Sequence, residues 1–155
     1  YAQDIAFSDD GTLLAAGSAD KTVRVWDLSD PASPVQVGDA IGGPQNYVYS
    51  VDFHPGTRLL GAASTDGSAW MWDLSAPAEP QHRATLTLPE GQLWVSVFSP
   101  GGSTLLGGGA DRLVCAWPVD TDAVAAKVCD LVGDPMTAAE WNPYIPERDF
   151  EPPCG

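Results

Sequence analysis

Short alternating runs of apolar and polar residues, each closed by a turn, fill most of the first 120 positions of this chain. Asp4-Ile5-Ala6-Phe7 runs into the turn Asp9-Asp10-Gly11. Leu13-Leu14-Ala15-Ala16-Gly17-Ser18 follows, and Thr22-Val23-Arg24-Val25-Trp26 comes after Asp20-Lys21. Period-two alternation, Val and aromatic content and the punctuating Gly and Asp predict three short β-strands. A fourth is expected after a Pro-rich connection, over Val35 to Ile41 and again over His82 to Leu88. Past Thr121 the period changes: Val124, Val128 and Leu131 fall at helical spacing, with Ala125, Cys129 and Val132 beside them. Gly133 is placed to cap this helix of about three turns. Thr137-Ala138-Ala139-Glu140 reads as a capping box with Met136 and Trp141 as its hydrophobic staple, stopped by Asn142-Pro143. The remaining Tyr144 to Cys154 is Pro-punctuated and expected to be extended along the surface.

The strand pattern repeats with a period of about 45 residues. Phe7, Phe53 and Phe98 align, as do Asp20, Asp66 and Asp111, and Trp26, Trp72 and Trp117. Phe to Asp is 13 residues and Asp to Trp is six in every copy. Two fixed spacings held through three copies, across connections of unequal length, mark a structural unit. The aspartates fall at tight turns, where a short carboxylate accepts backbone N–H groups, so their expected role is structural.

Trp26-Asp27 and Trp72-Asp73, following Ser18-Ala19-Asp20 and Ser64-Thr65-Asp66, resemble the signature of WD-repeat proteins. The resemblance covers about residues 1 to 120 and implies an all-β fold, a β-propeller of four-stranded WD-repeat blades. Three blades are readable, which makes a partial propeller, and residues 121–155 form a C-terminal extension with a short helix. Two departures stand out. The Gly-His pair that the family places before the first strand is replaced by Gly43-Pro44 and Glu90-Gly91, so its turn network is expected to be incomplete. The third copy ends in Trp117-Pro118, and a proline cannot donate to a ladder, so it reads as the closing edge. The tail, with its Tyr144-Ile145-Pro146 and Pro152-Pro153-Cys154, resembles the carboxyl end of large actinobacterial WD-repeat proteins. In those, propellers follow a STAND-type NTPase or a protein-kinase domain.

Composition narrows the partners. The net charge of −14, with seven Lys and Arg in 155 residues, opposes nucleic acid and acidic membrane surfaces and favours basic or neutral polypeptides. No apolar run is long enough to span a bilayer. The chain starts at Tyr1 without a leader pattern, which reads as a piece of something longer. Three blades leave two apolar blade faces open, at a cost on the order of 10 kcal/mol per face. Completion by missing blades or by self-association is therefore expected.

Chemistry is sparse. His54 lies in the turn Phe53-His54-Pro55-Gly56, where Ser8 and Ser99 stand in the other copies, and His82 opens a strand; neither has a partner at a telling spacing. The cysteines lie 14 and 25 residues apart, so no zinc-type pair exists and no metal or cofactor is expected. Cys115, Cys129 and Cys154 leave two alternatives open: free thiols in a reducing cytoplasm, or a Cys129–Cys154 bridge in an extracytoplasmic setting. Gly42-Gly43 and Gly107-Gly108-Gly109 fit neither a P-loop nor a dinucleotide fingerprint, and close blade packing is the expected reason for the second.

What remains is surface. In the family this chain resembles, the entry into each blade's first strand lies on the narrower, docking face. Those positions are Tyr1 and Gln3, Tyr47 and Tyr49, and Gln92 and Trp94, with Ala19, Thr65 and Ala110 just before the turn aspartates. Aromatics there suit a contact patch for a protein or peptide; their alternative role is packing between blades. The expected function is a non-catalytic interaction or sensor module at the carboxyl end of a larger bacterial signalling protein. The alternatives are an enzyme whose active site lies in missing blades, or a structural spacer.

Overall fold

The computed structural model describes residues 1–88 and 90–132, which fall into two compact units divided between Trp117 and Pro118. The first unit holds three antiparallel sheets. In blade 1, β1 (Ala2–Phe7), β2 (Leu13–Ser18), β3 (Val23–Asp27) and β4 (Val35–Gln36) lie in chain order. Blade 2 repeats this with β5 (Val48–Phe53), β6 (Leu59–Ser64), β7 (Ser68–Asp73) and β8 (Gln81–Thr87). Blade 3 has β9 (Leu93–Phe98), β10 (Thr104–Gly109) and β11 (Val114–Pro118), leaving β11 as the edge of a three-stranded sheet. The architecture is thus the expected all-β partial propeller.

One expected strand is broken. Val35 to Ile41 pairs with β3 at Val35–Gln36, where Val37 N also donates to Val25 O at 2.9 Å, and then again at an isolated bridge between Ile41 and Val23. Gly38 interrupts it in a left-handed conformation, φ +65°, and its α-carbon sits so close to Ala78 that an added Cβ would lie 2.8 Å from that carbonyl oxygen. The chain therefore leaves the ladder where it passes the loop of the next blade. A second correction concerns Gly107 and Gly109. Their crowding is inside blade 3, against the Trp117 ring and the Gln92 and Leu93 backbone, not against another blade. Close packing between blades falls at Gly17, under Val48 and Val51, and at Gly61, under the Phe98 ring.

The seams between blades follow a rule that repeats. Three residues before their Phe, the first strands of blades 1 and 2 offer a side-chain oxygen to a backbone N–H of the next blade: Asp4 Oδ2 accepts from Val51 at 3.0 Å, and Ser50 Oγ accepts from Ser96 at 3.4 Å. Asp52 Oδ2 also accepts from Phe98 N at 2.7 Å. Phe53 and Phe98, each seated on the preceding blade, are 6% exposed, whereas Phe7 is 61% exposed. Burial of such a ring contributes roughly 1.5–3 kcal/mol, so each seam is held mainly by apolar contact and oriented by these hydrogen bonds. At the base of the first seam, Arg58 pairs with Asp10 at 2.7 Å and Asp9 accepts from Gly56 N at 3.2 Å.

The second unit contains α1 (Thr121–Val132). Asp120 starts it: its carboxylate accepts the Asp122 N–H at 3.0 Å, an N-cap that also favours the positive end of the helix. Gly133, the Thr137–Glu140 capping box, the extended tail and Cys154 lie outside the described residues. No described helix is long and apolar enough to cross a membrane.

Candidate docking face

The predicted rim positions are structurally equivalent, because the carbonyls of Tyr1, Tyr47 and Gln92 accept the backbone N–H of Ala19, Thr65 and Ala110 at 2.9–3.0 Å. Each first strand then carries a β-bulge two residues further on. Ala2 and Asp4 face Ser18 and Gly17, Val48 and Ser50 face Ser64 and Ala63, and Leu93 and Val95 face Gly109 and Gly108. Gln3, Tyr49 and Trp94 are the residues skipped. A bulge bends the strand and frees one residue from the ladder, which re-aims its side chain. All three bulged positions are exposed.

Tyr47, Tyr49, Gln92 and Trp94 come together with Asn46 and Thr65 around a cleft of about 590 Å³ between blades 2 and 3. The three aromatics are each about half exposed. Trp94 Nε1 donates to Gln92 Oε1 at 3.1 Å, which fixes the indole. Asn46 Oδ1 accepts the Tyr47 N–H at 2.9 Å. Thr65 is 8% exposed and its hydroxyl has no hydrogen-bond partner. Tyr1 and Gln3 do not line this cleft; they belong to the same face on blade 1, where Tyr1 is fully exposed. Sequence reasoning placed the aromatics but missed Asn46 and the unpaired state of the Thr65 hydroxyl, for which no local signal exists.

The turn aspartates beneath this face each accept a backbone N–H. Asp20, Asp66 and Asp111 each accept the N–H two residues on, from Thr22, Ser68 and Leu113 at 2.9–3.2 Å. Asp20 also pairs with Arg24 at 2.8 Å. At Asp66 the expected gap in the turn network is closed by the backbone: Gln45 N donates to Asp66 Oδ2 at 2.6 Å. Ser68 Oγ donates to the other carboxylate oxygen and accepts from Trp70 Nε1 at 2.6 Å. Partial burial opposes ionisation of Asp66, but the donors Ser68, Gln45 and Ser64 outweigh it and hold its carboxyl below the usual range. Gly43 leaves room for this path, since a Cβ there would meet the Trp70 ring at 2.7 Å.

These features decide the comparison with known families. Residues 3–27 and 35–73 match the WD domain, G-beta repeat family. Blades 1 and 2 are thus similar to WD repeats over these residues. The third copy carries the same Phe, Asp and Trp register, the same bulge and the same seam, with Leu113 where Thr22 and Ser68 stand in the other two. The human WD repeat and SOCS box-containing protein 1 is 46% identical over 54 residues, 34% of this chain and 12% of that protein. Its zebrafish (Danio rerio) counterpart matches over the same length at the same identity. The Arabidopsis thaliana transcriptional corepressor LEUNIG_HOMOLOG is 42% identical over 52 residues, 34% of this chain and 6% of that protein. The matched stretch is thus a small part of these relatives.

No group of three or more His, Cys, Asp and Glu among the described residues could hold a metal ion. His54 packs edge-on to Phe98, ring centroids 5.1 Å apart, while the exposed His82 lies beside Trp70 at 5.3 Å with its Nε2 hydrogen-bonded to Thr85 Oγ1 at 2.9 Å. Cys115 is a free thiol on β11, while Cys129 is disulfide-bonded.

Proposed function

We propose that this chain is a non-catalytic docking module that captures a protein or peptide on the face carrying Tyr47, Tyr49, Gln92 and Trp94, with Tyr1 and Gln3 extending the contact. The observation that carries this reading is the bulge repeated at Gln3, Tyr49 and Trp94, which turns one side chain per blade onto a single face. Aromatics there bury large area at low entropic cost and keep a polar end for hydrogen bonding. The chain's net charge of −14 selects for basic or neutral partners. The resemblance of the tail supports a place at the carboxyl end of a larger bacterial signalling protein, with catalysis in neighbouring domains.

The test is a Tyr47→Ala/Trp94→Ala double variant compared with the parent in partner capture. Capture is expected to fall by at least roughly tenfold while far-ultraviolet circular dichroism and melting temperature hold, since each anchor is worth about 1–2 kcal/mol or more. Equal capture by a folded double variant would remove this face from the docking surface.

A further inference from the structure

We propose that the cleft between blades 2 and 3 is a subsite for one arginine side chain of the docked segment, an inference that rests on the docking reading above. Three aromatic and three neutral hydrogen-bonding side chains line it, and none carries a positive charge. A phosphate or carboxylate would find no cation there, and the surrounding field opposes anions: the chain carries −14 overall, and Asp66, next in sequence to Thr65, is held ionised. A purely apolar side chain would suit Tyr47, Tyr49 and Trp94 but would use none of the remaining acceptor capacity of the Asn46 and Gln92 amide oxygens, which already take the N–H groups of Tyr47 and Trp94.

A guanidinium meets both demands. It is planar and weakly hydrated, it stacks on aromatic faces as a cation, and its five N–H donors can reach amide and hydroxyl oxygens around its edge. Trp94 is prepared for this role, because its N–H is already spent on Gln92 and the ring is held with half its surface open. Thr65 lines the cleft with its hydroxyl oxygen buried and without a partner, and a χ1 rotation on binding would bring that oxygen to the guanidinium. Lysine offers charge but neither the plane nor the fork.

The experiment titrates the isotopically labelled 155-residue chain with three capped pentapeptides, Ala-Ala-X-Ala-Ala, where X is arginine, its neutral isostere citrulline, or lysine. The readout is the indole N–H resonance of Trp94. The arginine peptide should shift it saturably, with citrulline and lysine weaker by roughly five- to tenfold. Trp94→Ala and Tyr49→Ala should each weaken arginine binding by a similar factor, followed on backbone resonances around Thr65. Thr65→Val should reduce the arginine preference over lysine without altering the melting temperature. Citrulline or lysine binding as tightly as arginine would overturn the assignment, as would arginine binding that ignores Trp94→Ala. Should the arginine preference be absent while the Tyr47→Ala/Trp94→Ala chain still loses partner capture, the arginine subsite falls and the docking face stands.

Discussion

At the scale of single residues, the turn after each conserved-spacing aspartate shows how far a sequence can be read. Lys21, Gly67 and Arg112 occupy one position in the three blades, and all are left-handed, with φ of 73°, 89° and 63°. The aspartates announced the turns, but nothing in Lys21 or Arg112 announced a backbone that costs an L-residue about 1–2 kcal/mol. Replacing either by glycine relieves that strain and loses some of it again to the freer unfolded chain. Lys21→Gly and Arg112→Gly should each therefore raise stability by about 0.5–1 kcal/mol in urea titrations. A bridge from Cys129 to Cys154 makes another residue-scale prediction: alkylation of the unreduced, unfolded chain should label one thiol, Cys115, and three labelled thiols would exclude it. In the same way, the rim aromatics were legible from their place before each Phe, whereas the bulges that aim them were not, because a bulge is a mismatch between two strands and leaves no mark on either alone.

Among the elements, the strands and the helix were legible because alternation and helical spacing are local properties. The fourth strand of blade 1 was not, since Gly38 breaks it against a loop 40 residues away in sequence. The seams belong to this class too, and Asp52 shows their electrostatic cost. Burial at the seam of blades 2 and 3 pushes its carboxyl above the ordinary range, against the N–H groups of Phe98 and Phe53 that favour the charge. A raised folded pKa means that this contribution to stability is present below about pH 3.8 and is lost as pH rises through the folded value. Asp52→Asn keeps an acceptor for Phe98 and removes the charge. Its melting temperature should exceed the parent's at pH 7 and coincide with it near pH 3. The exposed aspartates act in the other direction: Asp10, Asp20 and Asp73 are held below the usual range, Asp73 to about 2 by Arg83, so their contribution is present above about pH 3.8 and fades as pH falls.

For the whole molecule, the decisive contrast is between Phe7 and its counterparts. The first blade has no predecessor in the structure, so Phe7 and Ile5 stand open. The third blade presents Val95 and Val97 where Asp4 or Ser50 and Asp52 face a neighbour elsewhere. Both open faces are apolar, which favours burial against further blades or a second copy. Phe53→Ala should therefore lower stability by about 3–5 kcal/mol, as for a buried aromatic in any core. Phe7→Asp should leave the melting temperature of dilute chain nearly unchanged and shift sedimentation toward the monomer. If the 155-residue parent already sediments as a well-behaved monomer, the open faces do not drive association.

The seam rule also bears on how such chains grow. Blade 2 carries on its leading side the N–H group of Val51, and on its trailing side the oxygens of Ser50 and Asp52 together with the space above Gly61 that seats an incoming phenylalanine. A copy of blade 2 placed after itself would thus meet a surface already matched to it. Blade 3 has lost that property, since Val95 and Val97 offer no acceptor. Among the described blades, only the middle one presents both halves of the joint.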